Sequence, residues 1–290
     1  MTAMKFIVIP TLLGLGFGLL LHAITGTWFF PWFFTFIGFL IGLGLHLELI
    51  VGMKGYGRIA VLWVFTLFFW LFLFIYMEEN MQYTQFIYCL YSGLYYGAFI
   101  HVLAAKIIGP LFFGRGFCGW GCWNASAFDT LGLKRKVKPI KTKLVYLKYF
   151  IALLWALFTI LIAVNYFQQG FDRLDLIIIE NILIYTLGLG LGYVFGHRFY
   201  CRTICPYAAL MSLISRLSLL KIEGNPNKCI DCGICENVCP MGIPIRSFIK
   251  KGVRISNGEC IMCLTCVRAC PKGVLKPTFK LPSLKEVFSK

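Results

Sequence analysis

CIDCGICENVCP (residues 229–240) and CIMCLTCVRACP (residues 260–271) decide how the whole chain is read. Each is C-x2-C-x2-C-x3-C-P, the spacing with which thiolates hold a [4Fe–4S] cubane. Thiolate is the soft ligand that such clusters require. In paired runs the fourth cysteine of each crosses to the other cluster. The runs therefore assign Cys229, Cys232, Cys235 and Cys270 to one cluster, and Cys260, Cys263, Cys266 and Cys239 to a second. A disulfide framework or a zinc site would need neither two full copies of this spacing nor the proline closing each. Residues 221–275 thus read as an α+β domain of the bacterial two-cluster ferredoxin type, followed by a tail over residues 276–290.

The rest is unlike a soluble protein. Of 290 residues, 59% are hydrophobic and only 14% charged, against about 25% charged in soluble domains. Six apolar runs approach the roughly 20 residues that cross a bilayer as helix. They are Met4–Ile24, Phe29–Val51, Ile59–Met77, Gln85–Phe113, Leu144–Tyr166 and Leu176–Phe199. Residues 1–220 then read as an all-α polytopic membrane domain of six helices. Only Lys5 precedes the first apolar core, and no small-residue cleavage site follows it, so the run reads as a span and not as a signal peptide.

Charge orients these spans. Lys54, Arg58, Lys134, Arg135, Lys136, Lys138, Lys141 and Lys143 lie in the loops of one side, and everything after the last span is basic. The other side carries Glu78, Glu79, Asp172, Asp175 and Glu180, with Arg173 its lone cation. The positive-inside rule places the basic side and both termini in the cytoplasm, with the chain in the cytoplasmic membrane. The net charge of +16 is then topology and attraction to anionic lipids, and does not call for nucleic acid. Twelve of the 13 cysteines fall in metal-type clusters, as in a reducing compartment. Cys89, alone in an apolar run, reads as a packing residue. Glycines 14, 16, 18, 38, 42, 44, 188, 190, 192 and 196 have the spacing that lets helices approach closely in lipid.

A second cysteine pattern lies at two span ends. FFGRGFCGWGCWNASAFD (residues 112–129) and VFGHRFYCRTICPYAAL (residues 194–210) align as R-x2-C-x3-C, pairing Arg115 with Arg198, Cys118 with Cys201 and Cys122 with Cys205. Spans three–four and five–six thus read as two copies of one helix pair, and membrane repeats often place their site where the copies meet. Cysteines four apart share a helix face, and two such pairs supply the four thiolates of a third cluster. Arg115, Arg198 and His197 would then tune it. The alternative is structural or reversibly oxidised thiols. Among the intramembrane polar residues, His46, Glu48 and His101 are candidates for a quinone headgroup, and paired histidines for haem. Against this, a histidine can satisfy itself on a carbonyl, and Lys106 can snorkel.

Together these features resemble the NapH/MauN/NosR group of membrane iron–sulfur proteins. That group includes the membrane quinol-dehydrogenase subunit of periplasmic nitrate reductase and the C-terminal half of the nitrous-oxide reductase accessory protein. The resemblance covers roughly residues 59–275. CRTICP (residues 201–206) fits its C-x3-C-P motif, whereas CGWGCW (residues 118–123) has Trp123 in place of proline. It implies electron exchange between the quinone pool and a redox partner. The expectation is one-electron hopping between membrane quinone and a cytoplasmic partner, either another redox subunit or an acidic ferredoxin- or flavodoxin-like protein that the basic domain attracts. Any enzymatic role would be as the electron-transfer subunit of a quinone-linked oxidoreductase, since no residue reads as a catalytic nucleophile. Two alternatives stand beside it: a copper-ion reductase or assembly factor, as in related cytochrome-oxidase assembly proteins, and a membrane redox sensor without turnover.

Overall fold

Backbone groups in hydrocarbon must be paired within their own segment, so apolar runs of this length fold as helices. A computed structural model describes residues 2–53, 55–95, 97–132, 142–165 and 171–288. Among the described residues, five helices are long and apolar enough to cross a membrane: Met4–Thr25 (within α1, Thr2–Thr25), α2 (Phe29–Val51), α3 (Tyr56–Tyr76), α8 (Leu147–Asn165) and α9 (Leu174–Phe195). Lys54, Lys134, Arg135, Lys136, Lys138 and Lys141, which carried much of the charge argument, lie outside the described residues. The chain forms two compact units, Met1–Phe65 and Thr66–Lys290. The division expected after residue 220 falls inside the second.

In the first unit α1 and α2 form a hairpin held by glycine. A Cβ on Gly38 would stand 2.2 Å from Pro10 O, one on Gly14 2.1 Å from Phe34 O, and one on Gly18 2.6 Å from Phe30 O. These contacts bring backbone against backbone, which is how helices associate without a hydrophobic driving force. Gly16 meets nothing within 4 Å. At the end of α2, Glu48 accepts from the backbone N–H of Gly55 and of Arg58, both at 2.9 Å, and so caps the first turn of α3.

The second unit departs from expectation at the fourth span. Gln85–Phe113 is two helices, α4 (Tyr83–Ser92) and α5 (Phe99–Phe113). Gly93 ends α4 in the left-handed conformation at φ 72°, which glycine adopts without the Cβ penalty. Neither piece has the length to cross a bilayer as straight helix. Before α4 the chain runs without helix from Glu78 to Met81, where Glu78 is exposed and Asn80 fully buried. Asn80 N donates to Asp172 Oδ1 at 2.8 Å, Gln82 Nε2 to Asn181 Oδ1 at 2.7 Å, and Gln85 Nε2 to Asp172 Oδ2 at 2.6 Å. Cys89 is fully buried on α4.

Short helices follow the spans: α6 (Gly116–Trp120) and α7 (Ala125–Gly132) after α5, and α10 (Phe199–Thr203) and α11 (Pro206–Ile214) after α9. The cysteine-rich segment is closed at its two ends by an antiparallel pair, β1 (Leu220–Gly224) and β2 (Leu275–Phe279), with Leu220 opposite Phe279. Between the strands lie α12 (Ile234–Asn237), α13 (Ile245–Lys250) and α14 (Thr265–Ala269). Beyond β2, Arg254 donates to Leu281 O and to Glu286 of α15 (Leu284–Phe288), tying the last helix down.

Substituting Gly38→Leu should separate the α1–α2 hairpin, with a stability loss at or above the ~1–3 kcal/mol typical of overpacking. Gly16→Leu should be neutral. Thermal unfolding of both variants in detergent measures the difference.

Candidate metal centres

The two C-x2-C-x2-C-x3-C runs fold as mirrored loops. In the first, Asp231 and Gly233 adopt positive φ (56° and 74°); in the second, Met262 and Leu264 do so at the matching positions (52° and 59°). Such turns aim successive N–H groups into one concavity, which favours an anionic guest. Three of these four residues bear a Cβ, and strain of this kind gathers at functional sites. Each loop bounds a cavity. One is lined by Cys260, Cys263, Cys266 and Cys239, and the other by Cys229, Cys232, Cys235 and Cys270. Each cavity therefore draws three cysteines from one run and the last cysteine from the other. Among the described residues, no three His, Cys, Asp or Glu side chains converge tightly enough for a single metal ion. Thiols set back around a cavity fit a multi-atom cluster.

The four cysteines of the membrane repeat lie near one another: ionising Cys201, Cys118 or Cys122 would disfavour ionising Cys205, and Cys118 and Cys201 would do the same to Cys122. The arginines are crossed. Arg115, just before α6, donates to Cys201 O at 3.2 Å, while Arg198, just before α10, donates to Cys118 O at 3.0 Å. Each also meets a carboxylate. Arg115 Nη1 lies 2.6 Å from Glu259, which also binds Lys148, and Arg198 grips Asp129 at 2.6 and 2.5 Å. His197 Nε2 lies 2.8 Å from the same Asp129. Lys106 completes the surround. It donates to Met81 O at 3.2 Å, lies 3.4 Å from the Tyr207 ring centroid and 4.7 Å from that of Trp123, and feels Cys122, Cys205 and Cys118.

These side chains fit an iron–sulfur cluster by charge as well as by donor type. Lys106, Arg115, Lys148 and Arg198 are buried, with only Glu259 and Asp129 as carboxylate partners in these contacts. Unmatched buried cations are costly, and a tetrathiolate cluster supplies the missing negative charge. Without iron the thiols hold their protons. Burial, reinforced by Cys118 and Cys201, pushes Cys122 up to about 12. Burial likewise raises Cys205 and Cys201, the latter partly offset by Arg198.

The second ferredoxin-type loop sits directly on this repeat. A Cβ on Gly119 would meet Ile261 O at 2.1 Å, and Trp120 Nε1 donates to Met262 O at 2.9 Å. Gly258 is pressed against Ser212 O in the same way. Ile261, Met262 and Leu264 are consequently buried, whereas Ile230, Cys232 and Ile234 at the first cluster loop are exposed.

The quinone candidates fall in both units. His46 and Glu48 belong to the first unit, where Glu48 caps a helix. His101 belongs to the second, buried edge-on to Phe69 and Phe117 at centroid distances of 5.5 and 6.0 Å. Sequence reasoning missed Asp129, Lys148, Glu259 and Met211, whose Sδ lies 3.6 Å from Cys118 Sγ. It also placed Glu180 in an outer loop, whereas Glu180 lies within α9. Only their contacts across the fold reveal them.

The 4Fe-4S binding domain family matches twice, at residues 97–140 and 181–224, and the 4Fe-4S dicluster domain family matches residues 228–275. Uncharacterized protein MJ0749 of Methanocaldococcus jannaschii is 32% identical over 46% of this chain and 54% of its own. Uncharacterized protein MJ0750 of the same organism is 31% identical over 51% of this chain and 68% of its own. YccM of Escherichia coli, which its name assigns to electron transport, is 43% identical over 23% of this chain and 19% of its own. The chain thus spans between a fifth and two thirds of these relatives. No solved structure matches.

In the iron-free protein, burial holds Cys239 at about 11 and Cys260 at about 12, against an ordinary 9.0. Both should be alkylated slowly at pH 8, about tenfold faster per pH unit up to those values. The unfolded chain sheds these protons from pH 9, so the folded iron-free protein should lose stability from pH 9 up to about 12. Mass spectrometry of iodoacetamide labelling and denaturant titration at each pH check both.

Proposed function

Because the chain belongs to the NapH/MauN/NosR-type family of membrane iron–sulfur electron-transport proteins, we propose that it conducts single electrons between a soluble redox protein and the membrane quinone pool. The observation that carries this reading is the seat of the second ferredoxin-type loop on Gly119 and Trp120, beside Cys118. It sets the eight-cysteine segment against the four-cysteine repeat with no solvent layer at that contact.

Cys229, Cys232, Cys235 and Cys270 hold one [4Fe–4S] cluster, Cys260, Cys263, Cys266 and Cys239 the second, and Cys118, Cys122, Cys201 and Cys205 a third. Bound there, such clusters supply one-electron chemistry and no proton or group transfer. The protein's part is to space them, dry the path and set their potentials. The exposed loop around Cys232 is the entry for an acidic carrier, drawn by the basic surface of the domain. Met262 and Trp120 exclude water along the next step. Arg115, Arg198 and Lys106 stabilise the more negative, reduced state of the third centre and so raise its potential. A second reading rests on Met211, since a thioether beside thiolates also suits Cu(I).

Metal content separates these readings. The purified protein should carry about 12 iron atoms with matching acid-labile sulfide, four for each of three cubanes. Cys201→Ser should lower this to about 8 and leave the ferredoxin-type EPR signals in place. About 8 iron with bound copper in the unmodified protein would favour the second reading. In liposomes with a reduced ferredoxin, the unmodified protein should reduce a menaquinone analogue, and Cys201→Ser should not.

A further inference from the structure

One buried acid has no role in the scheme so far. Glu180 lies on α9, six residues after Leu174, and is half-buried while its Oε1 is buried and has no hydrogen-bond partner among the described residues. Its other oxygen is satisfied: Thr84 Oγ1 donates to Oε2 at 2.5 Å, and Asn80 Nδ2 stands at 3.5 Å. Asn80 is in turn held by Asp172, whose Oδ1 accepts from Asn80 N. A carboxylate with one bare oxygen away from water is expensive, and a carboxylic acid with its proton on that oxygen is not. The geometry thus offers one oxygen on which a proton can reside.

The charged groups facing Glu180 connect it to the cysteine centre. Cys122, Cys205, Cys118 and Glu180 all lie near enough to Lys106 that each, when ionised, favours its charged form. Tyr207 and Tyr200, beside the second cysteine pair, also feel Glu180. Along α9, Glu180 precedes Phe195 by 15 residues, about 22 Å of helix. Asp172 precedes one end of that helix and Cys201 follows the other. An electron added at the cysteines makes the potential more negative at both Lys106 and Glu180. Both can answer by binding a proton, and of the two only Glu180 has a side-chain oxygen with no hydrogen-bond partner among the described residues.

We infer that Glu180 is a proton-exchange carboxyl, loaded when the four-cysteine centre is reduced and emptied when it is reoxidised. The inference rests on the proposal that those cysteines hold a redox centre. One electron arrives from the ferredoxin-type clusters and one proton from water; an O–H bond forms at Oε1, and reoxidation returns both. Electron transfer through this chain is then coupled to proton movement inside the membrane domain, which iron–sulfur chemistry alone does not require.

The test is the infrared difference spectrum between reduced and oxidised protein, read alongside iron content. A protonated-carboxyl C=O band should appear on reduction, vanish in Glu180→Gln and persist, shifted, in Glu180→Asp. The reduction equilibrium of the third centre should shift about tenfold per pH unit, about 59 mV, and lose that slope in Glu180→Gln. Absence of the band in the unmodified protein, or its survival unchanged in Glu180→Gln at unchanged iron content, overturns the inference. If iron counting gives about 12 and the band is missing, only the role of Glu180 falls. If it gives about 8, the four-cysteine reading fails on its own account.

Discussion

The second unit depends on a crossed pair of arginines. Arg115 reaches from the first half of the repeat to Cys201 O in the second, and Arg198 reaches back to Cys118 O. A guanidinium cannot shed its proton to escape burial, so each brings a carboxylate with it, Glu259 or Asp129. These carboxylates come from different places. Asp129 lies on α7, close to the repeat, while Glu259 belongs to the cysteine-rich segment, 144 residues from its arginine. The charge demanded at the first half-site is thus met by the ferredoxin-type domain itself, which fixes that domain against the membrane helices. A hydrophobic contact could hold the two together but would not set the register between cysteine sets so narrowly.

That register breaks the symmetry of the ferredoxin-type loops. In sequence the two runs are near copies. In the fold, Met262 and Leu264 take the same left-handed backbone as Asp231 and Gly233, yet only the second loop is covered by α6. The substitutions follow from the setting. Asp231, at an exposed loop, pairs with Lys250 and Arg246, while Met262 at the matching position is buried and gives its carbonyl to Trp120. The apolar residues of the second run mark which cluster faces inward. The first run, with Ile230 and Cys232 exposed, is the one an outside partner can approach.

Much of this was legible in the sequence because the chemistry is local. Cysteine spacing names the cluster type, and five of the six apolar runs read as spans are, among the described residues, helices long enough to cross a membrane. The broken fourth span was not legible. Gln85–Phe113 is largely apolar, and composition does not show that Gly93 turns left-handed or that the turn ahead of α4 is held by side-chain hydrogen bonds. Glu48 looked like a redox-site acid from its position in a span, but its oxygens serve the backbone of Gly55 and Arg58, a turn that periodicity does not reveal. Glu180 failed for the opposite reason. One acid in an apolar run is easily assigned to a loop, and only its partners on α4 and in the Asn80 turn show it is inside.

The repeat is also informative where its halves differ. Proline at position 206 starts α11 at once after Cys205, whereas Trp123 takes that place after Cys122 and α7 begins only at Ala125. The delay leaves Trp123 O free to accept from Thr66 and Tyr185, and its ring beside Lys106. The helix leading into that half is the broken one, α4 and α5, and Lys106 comes from α5. The second half has an unbroken α9 and supplies Glu180. Proline, intact helix and acid thus sit in one copy; tryptophan, broken helix and lysine sit in the other. What duplication preserved is the cysteine–arginine frame that a shared centre needs. What diverged is the pair of opposite charges behind it, a buried lysine from one copy and a half-buried acid from the other.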